Sequence, residues 1–413
     1  MWEKLWGYKE GFAVCTGLLL TGILLQVTIG KINWDLLAFP VNIILLILYL
    51  STLLLFHTKA RKVYLFRWMS SFPATVSALI AVAAMTVIMG FTRQLPAQEV
   101  LSGLEAGLGF SQMLSAWPFV LLFTWLMTIL GSSILRRLYP FRRQNIPFLL
   151  NHLGLFIAVV GAVMGSADMQ RLKMTVSLGK AEWRARTSDG HLLELPLALE
   201  LTGFTIDEYP PKFMLIDNET GKTLSEGKPE NLLPEEEVIQ GYLGEWQIEV
   251  MRHIPQAASV STSDSVKFVD FHSIGSTYAV YIRARHRQSG EQKEGWVSCG
   301  SFLFPYKALR LNEAVSLIMP EREPRRFASD IQLYTRSGHK QTATIEVNKP
   351  LKAEGWKIYQ LSYDETKGKW SDISIFELVR DPWLPVVYTG IYVLIAGAVW
   401  MFITASKRKE ENL

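Results

Sequence analysis

The chain of 413 residues is 49% hydrophobic and only 19% charged, whereas soluble domains carry roughly 25% charged residues. This balance excludes a disordered protein or a coiled coil and fits poorly with a purely soluble enzyme. The net charge of +4 is unevenly spread, because residues 1–167 hold 12 basic and 5 acidic side chains and residues 168–382 hold 27 and 31. No basic patch with interleaved aromatic residues occurs in the balanced part, so nucleic-acid binding is not indicated.

The apolar residues are concentrated in six runs that are almost free of charge. The runs cover residues 11–30, 39–56, 71–91, 117–134, 146–165 and 384–405. Each has about 20 residues, which at ~1.5 Å per residue spans the ~30 Å hydrocarbon core of a bilayer. The sequence therefore predicts a bundle of six transmembrane helices, with five before a long polar segment and one after it.

The short connections between these runs differ in their basic residues. One side carries only Lys31 and Arg93. The other side carries thirteen basic residues, which are Lys4, Lys9, Lys59, Arg61, Lys62, Arg67, Arg136, Arg137, Arg142, Arg143, Lys407, Arg408 and Lys409. By the positive-inside rule we expect both termini in the cytoplasm and residues 168–382 on the extracytoplasmic side.

The segment 168–382 has the patterns of β structure. Residues 246–250, 278–282 and 342–347 alternate or are rich in β-branched side chains, as strands are. Residues 218–221 and 336–339 have the composition of hairpin turns, which place Asn, Asp or Gly at the tip. We expect a large, mainly antiparallel, sandwich-like β domain of one or two lobes.

The two cysteines, Cys15 and Cys299, do not suggest thiol chemistry. In this topology they lie in different phases and cannot pair, and neither belongs to a Cys-x-x-Cys motif, the usual signature of a redox or metal site. We expect both to be small apolar fillers.

His152 is the clearest ionisable residue inside a predicted membrane helix. An ionisable side chain there is costly and marks a candidate functional site, and imidazole is a common axial ligand of haem iron. At ~100° per residue, Phe156, Val159 and Val163 share the face of His152. Gly154, Gly161 and Gly165 form a stripe nearly opposite, which suits close helix packing. A neutral histidine that hydrogen-bonds a neighbouring helix explains the position equally well.

His57 is the second membrane-associated histidine, at the inner end of the second predicted helix. Its position favours an interfacial side chain, with a role as a second haem ligand as the alternative. The remaining histidines lie in the polar segment without a zinc-binding spacing, and they are His191, His253, His272, His286 and His339. Neither a nucleophile elbow nor a phosphate-binding glycine loop occurs.

The C-terminal third resembles a known family. The segments are PRRFASDI at 324–331, IEVNKPL at 345–351, GWKIYQLSY at 355–363 and DPWLPVVYTG at 381–390. In this order, directly before a last membrane helix, they resemble the ResB family, also called CcsB, the membrane component of system II cytochrome c maturation. RWMSSF at 67–72, SAWPF at 115–119 and HLGL at 152–155 extend the resemblance upstream, so that it covers about residues 67–404.

The resemblance implies a role in transporting or presenting haem b for covalent attachment to apocytochrome c. The implied location is the bacterial cytoplasmic (inner) membrane. The implied partners are a CcsA-like haem-handling membrane protein, apocytochrome c, membrane lipid and, indirectly, a thioredoxin-like thiol reductant. The chain would then be a non-catalytic or co-catalytic subunit of a holocytochrome c synthase complex. Since a tryptophan-rich haem motif is absent from the sequence, the CcsA-like partner is expected as a separate subunit.

The family's intramembrane haem ligand, near the inner leaflet, falls on His152, so the iron would be held by this residue and a partner histidine. Other family-motif residues are expected to shape the β domain and its junction with the last helix, mostly through turn chemistry. They are Pro324, Phe327, Asp330, Asn348, Pro350, Tyr359, Gln360, Ser362, Tyr363, Asp381 and Pro382.

Four regions are expected. Residues 1–66 form two additional helices with no counterpart in the family, 67–167 a three-helix membrane core, 168–382 the β domain, and 383–413 the last helix with a short cytoplasmic tail. Two other functions fit the same hydropathy. One is a membrane-anchored β-domain scaffold or sensor, and the other is a b-type electron carrier, which requires two facing histidines such as His57 and His152.

Overall fold

A computed structural model describes residues 6–59, 63–95, 107–224, 240–261 and 266–410. Contacts divide the chain into two compact units. The helical unit comprises Met1–Gln170 with Asp381–Leu413, and the β unit comprises Arg171–Arg380.

The helical unit contains seven helices among its described residues. They are α1 (Tyr8–Ile29), α2 (Val41–Lys59), α3 (Tyr64–Met69), α4 (Phe72–Phe91), α5 (Trp117–Leu138), α6 (Ile146–Asp168) and α7 (Leu384–Glu410). All except the short α3 are long and apolar enough to cross a membrane, which gives six candidate spans. The prediction of a six-helix bundle is confirmed, and the chain is a multi-pass membrane protein.

Proline marks the start of three helices. α4, α5 and α6 each carry proline in the first turn, at Pro73, Pro118 and Pro147. The ring fixes φ near its helical value, and the missing N–H would have no intrahelical partner there. Short 3₁₀ turns lead into two of these helices, at Phe110–Ser115 before α5 and at Arg143–Asn145 before α6.

Two apolar clusters hold the helical unit together. In the first, α1, α3, α4 and α5 pack around the fully buried Trp68. In the second, α2, α5 and α6 meet at Leu53, Met127 and Phe156. The two N-terminal helices α1 and α2 are therefore integral to the bundle, because each contributes side chains to one of its cores.

The β unit contains sixteen strands among its described residues. They are β1 (Gln170–Ser177), β2 (Ala181–Arg186), β3 (Leu192–Glu208), β4 (Met214–Asp217), β5 (Gln240–Leu243), β6 (Trp246–Ser261), β7 (Val266–Asp270), β8 (Thr277–His286), β9 (Gln292–Ser298), β10 (Leu309–Arg310), β11 (Val315–Ile318), β12 (Pro324–Thr335), β13 (Lys340–Glu346), β14 (Leu351–Ala353), β15 (Trp356–Tyr363) and β16 (Ile373–Arg380). A 3₁₀ turn at Gly368–Trp370 precedes β16.

These strands form three sheets. The largest has the order β13-β12-β3-β2-β1-β16-β15-β14, a second has the order β5-β6-β8-β9 with β7 on β6, and a third has the order β10-β11-β4. Strand pairs with a defined register are antiparallel. The mainly antiparallel β domain is confirmed, as are the hairpin turns at 218–221 and 336–339.

Two main cores, beside a smaller apolar cluster on β6, β7 and β8, show that the β unit has two lobes. All members of one core come from the eight-stranded sheet, for example Leu199 on β3, Ile331 on β12 and Phe376 on β16. That sheet therefore curls and buries one of its faces against itself. The other core lies between the two smaller sheets, where Ile248 on β6 packs with Leu317 on β11, as in a sandwich.

Candidate functional site

A groove of about 1130 Å³ lies between α4, α5 and α6 in the helical unit, larger than the ~300–1,000 Å³ typical of small-molecule sites. Most of its wall is apolar. The wall includes Leu79 on α4, Phe123, Leu126 and Leu130 on α5, and Leu155 and Val159 on α6. Such a wall accepts a flat apolar ligand or lipid chains.

His152 lines this groove from α6. Its ring atom Nδ1 lies 2.9 Å from the backbone carbonyl oxygen of Phe148, one turn earlier. A carbonyl oxygen can only accept a hydrogen bond, so Nδ1 carries the proton and donates it. In the neutral ring, Nε2 then keeps its lone pair and can ligate a metal. The second nitrogen of a ligating histidine usually donates a hydrogen bond, and here Nδ1 already does so.

The ring of His152 is also held by stacking. Its centroid lies 3.7 Å from that of Phe148, with 19° between the planes. The guanidinium carbon of Arg137 lies 4.1 Å from the same Phe148 centroid. Two groups this close to one ring cannot share a face, so Phe148 is sandwiched between His152 and Arg137. A cation–π contact and a ring stack thus orient the imidazole before any ligand binds.

The glycine stripe on the other side of α6 packs against α7, as predicted. A Cβ atom on Gly154 would lie 2.5 Å from the backbone nitrogen of Leu394, and one on Gly161 would lie 3.3 Å from that of Val387. A Cβ atom on Gly165 would lie 3.2 Å from Cβ of Trp383. This close contact occupies one face of α6 and leaves the opposite face, with His152, to the groove.

The predicted apolar wall is partly wrong. Val159 lines the groove, but Phe156 is buried in the cluster that α2, α5 and α6 share, and Val163 is not among the described lining residues. At ~100° per residue, Phe148, Leu155 and Val159 fall on one flank of His152, whereas Phe156 and Val163 fall on the other. The groove is on the first flank, a choice that helix periodicity alone cannot make.

One end of the groove is polar and basic. Arg136, Arg137 and Arg142 line it, and no carboxylate is among the lining residues that the structure describes. The hydroxyl oxygen of Ser71, also on the wall, is buried without a hydrogen-bond partner in the described chain. Unpaired buried polar atoms are uncommon and call for an explanation.

These features fit a haem-type ligand. The groove combines an apolar wall, an imidazole whose tautomer leaves Nε2 free to ligate, and basic groups at one end. His152 is the single histidine among the described lining residues, so this chain offers one imidazole ligand in the groove.

His57 lies elsewhere in the bundle. It is buried near the C-terminal end of α2 and meets the ring of Phe66 on α3 edge-on, with centroids 6.0 Å apart. It is not among the described residues that line the groove. A role for His57 as a second ligand beside His152 gains no support from this placement.

Asp168 is a polar junction that sequence reasoning missed. At the end of α6, its Oδ1 accepts the backbone N–H of Phe39 at 2.7 Å. Its Oδ2 accepts the side-chain N–H groups of Asn42 at 2.7 Å and Trp383 at 2.6 Å. One carboxylate thus joins the starts of α2 and α7 to the end of α6. An acidic residue at the end of an apolar run is the only signal in the sequence.

Two family-motif residues form an aromatic contact within the β unit. Phe327 on β12 meets Tyr363 on β15 edge-on with centroids 5.1 Å apart, and Phe204 on β3 lies 5.2 Å from the same Tyr363 ring. Burial raises the pKa of Tyr363. Because β12 and β15 are not neighbours in the sheet order, this contact helps to close the curl of the large sheet.

Asp330 links three adjacent strands of that sheet. Its Oδ1 accepts the hydroxyl of Thr344 on β13 at 2.5 Å, and its backbone carbonyl accepts the hydroxyl of Thr202 on β3 at 3.0 Å. A Cβ atom on the facing Gly203 would lie 3.2 Å from Asp330 Oδ2. These contacts give Asp330 a role in strand pairing.

Other motif residues lie at turns and irregular positions. Asn348, in the turn after β13, has a left-handed φ of 64°, which confirms turn chemistry there, and Pro350 follows before β14. The side-chain N–H of Gln360 donates to the carbonyl of Ser362 at 3.0 Å, where the β15–β16 register shifts.

The remaining motif residues mark strand and helix boundaries. Pro324 begins β12, and Tyr359 lies opposite Glu377 of β16. Asp381 Oδ1 accepts the backbone N–H groups of Trp383 at 3.0 Å and Leu384 at 3.1 Å. Asp381 thus caps the start of α7, and Pro382 lies in the turn between them. Such a cap supplies a hydrogen-bond acceptor to N–H groups that have no intrahelical partner at the start of a helix.

The cysteines are free and buried, as expected of apolar fillers. Burial raises the pKa of Cys299 from 9.0 to about 12, which keeps this thiol protonated at neutral pH.

A second cavity, of about 410 Å³, lies in the β unit and is lined by Glu208, Arg322 and Lys369 among others. Arg322 lies 3.0 Å from the Glu208 carboxylate and Lys369 lies 3.8 Å from it, but Glu321, Glu323 and Glu365 also line this cavity, so its lining keeps an excess of negative charge.

Comparison with known families gives one match. Residues 297–371 match the model of the ResB-like family, which confirms the resemblance over this segment. The segment contains the motif residues from Pro324 to Tyr363 and ends before α7. The resemblance of the helices upstream, including the HLGL segment at His152, lies outside the match and stays a prediction. No curated protein matches the chain.

Proposed function

The ResB-like segment at residues 297–371 indicates a role in cytochrome c biogenesis, and from this premise we propose that the chain binds haem b at His152 and presents it for covalent attachment to apocytochrome c. The observation that carries the proposal is the hydrogen bond from His152 Nδ1 to the Phe148 carbonyl. It leaves Nε2 as the ligating atom, on a side chain that lines a large apolar groove.

Ligation of iron would also offset the cost of an imidazole inside the bilayer, since a polar group in hydrocarbon is stabilised by a strong partner. The stack of Phe148 on His152 supports the same role. A ligand ring that is already oriented loses little conformational entropy when the metal binds. In this proposal the chain supplies one axial imidazole, an apolar wall and a basic rim, and haem is its cargo.

The second axial ligand comes from the partner in this proposal. Among the described lining residues His152 is the single histidine, and His57 is buried against Phe66 elsewhere in the bundle. A CcsA-like membrane protein would supply the other imidazole and the haem-handling surface on the outer side. The chain would then act as a non-catalytic or co-catalytic subunit of a holocytochrome c synthase complex, with a thioredoxin-like reductant acting on the apocytochrome.

We further infer the orientation of the chain. The excess of basic residues in one set of short connections favours cytoplasmic termini and an extracytoplasmic β unit in the bacterial inner membrane. His152 is one to two turns from the start of α6 at Ile146, so it lies on the side of the basic connections. Haem would enter at the inner leaflet, and the β unit would support apocytochrome docking outside.

The test is a haem spectrum of the full chain purified after co-expression with the candidate CcsA-like partner. His152→Ala is expected to remove the Soret band of this site, because the axial ligand is lost. His57→Ala is the matched control, since it removes the other membrane-associated histidine, and it is expected to retain the band.

Equal haem content in wild type and His152→Ala would refute the proposal. Haem bound by the chain alone and lost in His57→Ala would instead favour a b-type electron carrier. Absence of haem from the wild-type complex would favour a β-domain scaffold or sensor.

A further inference from the structure

The basic end of the His152 groove has features that membrane topology alone does not require. Arg136, Arg137 and Arg142, here called the arginine rim, all line the groove. Arg143 belongs to the same connection but is not among the described lining residues. A rule that only places positive charge in the cytoplasm does not distinguish Arg142 from Arg143.

Two members of the rim are held in place. Arg136 donates from Nη1 to the carbonyl and to the hydroxyl oxygen of Ser70, both at 3.2 Å. Arg137 lies over the ring of Phe148, and the carbonyl of Arg137 accepts the side-chain N–H of Asn145 at 3.1 Å. Guanidinium groups that are anchored in this way lose less entropy when they bind an anion than free surface arginines do.

The start of α4 adds to the positive potential. α4 begins at Phe72, and Phe72 and Thr75 line the groove. The first N–H groups of a helix have no intrahelical partner and attract anions. Ser71 precedes this helix, and its hydroxyl makes no capping bond and has no partner among the described residues. A hydrogen-bond donor for an anion is therefore present beside the arginine rim.

We propose that the arginine rim binds the propionate carboxylates of a porphyrin whose apolar plane lies along the groove wall. This inference rests on the proposed function and specifies the cargo's orientation. Asn145, which precedes α6 and donates to the carbonyl of Arg137 in the rim, is seven residues before His152, about two turns or ~10 Å along a helix axis. That separation suits an amphiphile with a metal at its centre and carboxylates at one edge, and arginine is the side chain that binds carboxylates in a bidentate manner.

Anionic lipid headgroups share the chemistry of propionates, since both present oxygen anions to guanidinium groups. The porphyrin is favoured because the rim continues directly into the apolar wall and into His152 within one groove. A lipid would use the rim and the wall but would not require an oriented imidazole.

The experiment uses the full chain in nanodiscs of neutral phosphatidylcholine and four probes. The probes are ferric haem, its dimethyl ester, metal-free protoporphyrin and the dimethyl ester of that porphyrin. Haem binding is followed by the Soret band, and binding of the metal-free compounds by fluorescence. Wild type is expected to bind each dicarboxylate more tightly than its diester, with a preference that weakens as salt rises.

Arg142→Gln is the primary variant, and Arg143→Gln is its matched control with the same charge change one residue away. Arg142→Gln is expected to reduce the preference for the dicarboxylate by about threefold to tenfold and to leave binding of the diesters unchanged. Arg143→Gln is expected to keep the wild-type preference. Arg137→Gln should behave as Arg142→Gln does, and Arg137→Lys should recover only part of the loss because it lacks the guanidinium fork.

The probes separate this inference from the proposed function. His152→Ala should weaken haem binding but not the binding of metal-free protoporphyrin, because the latter has no iron to ligate. If His152→Ala binds both haem and metal-free protoporphyrin as tightly as wild type does, the ligand role of His152 is refuted. The preference for dicarboxylates over diesters still tests the arginine rim in that case. An equal preference for the dicarboxylate over its diester in wild type, Arg142→Gln and Arg143→Gln would overturn the inference. If those equal preferences accompany weaker retention of phosphatidylglycerol by Arg142→Gln, measured separately on chains purified from membranes that contain this lipid, the rim binds lipid headgroups.

Discussion

The contact between α6 and α7 yields a quantitative prediction. Gly154 and Gly390 face each other, since a Cβ atom on either would lie 2.7 Å from the carbonyl oxygen of the other. A Cβ atom on Gly390 would also lie 2.3 Å from the backbone nitrogen of Ala158. Because these neighbours are backbone atoms, they cannot rotate away. Gly154→Ala or Gly390→Ala should therefore force the two helices apart.

The magnitude follows from two opposing effects. Alanine gains about 1 kcal/mol over glycine in a helix interior, whereas overpacking costs typically ~1–3 kcal/mol. Gly17→Ala on α1 is the matched control, because a Cβ atom there meets nothing within 4 Å. The control should be as stable as wild type or more stable. Either variant at the α6–α7 contact should fall below the control by about 1–3 kcal/mol.

The assay is denaturant-induced unfolding of the purified chain in detergent, followed by circular dichroism. The double variant should lose less stability than the sum of the single losses, because the first substitution already separates the helices and makes room for the second. Equal unfolding midpoints for Gly154→Ala and Gly17→Ala would refute the close-contact reasoning. Strict additivity in the double variant would show that the two glycines do not share one contact.

Three further predictions concern single side chains. Asp168→Asn should cost about 1–3 kcal/mol in thermal unfolding, because an amide cannot accept all three hydrogen bonds, whereas the same charge change in the exposed Asp35→Asn should cost little. Asn348→Val should lower stability by about 1–3 kcal/mol, since a β-branched residue is strained at positive φ, and Asn348→Gly should not. Cys299, with its pKa raised to about 12, should resist alkylation of the folded chain at pH 8 and react after unfolding. The same raised pKa contributes stability below pH 9.0 that is lost as pH rises towards about 12, and rapid alkylation of the native chain would contradict the burial.

The sequence by itself determined the helix count and the β character of residues 168–382, and it singled out His152 as the candidate site residue. Each rests on a strong one-dimensional signal. A run of about 20 apolar residues has few alternatives to a membrane helix, and alternation with turn residues favours hairpins. A histidine inside such a run is conspicuous because so few ionisable residues are found there. The glycine stripe of α6 was also predictable, since helix periodicity places its members on one face.

Only the tertiary structure decided which flank of His152 borders the groove, which arginines form its rim and which N–H groups donate to Asp168. Periodicity shows that Phe156 and Val159 lie near His152 on α6, but the position of α4 and α5 decides that Val159 lines the groove and Phe156 does not. Arg142 and Arg143 are equivalent in a count of charges, yet one lines the groove and its neighbour does not. The physical reason is that helix formation depends on local hydrogen bonds and side-chain polarity, whereas a site depends on contacts between segments distant in the chain, such as Phe39 and Trp383 at Asp168.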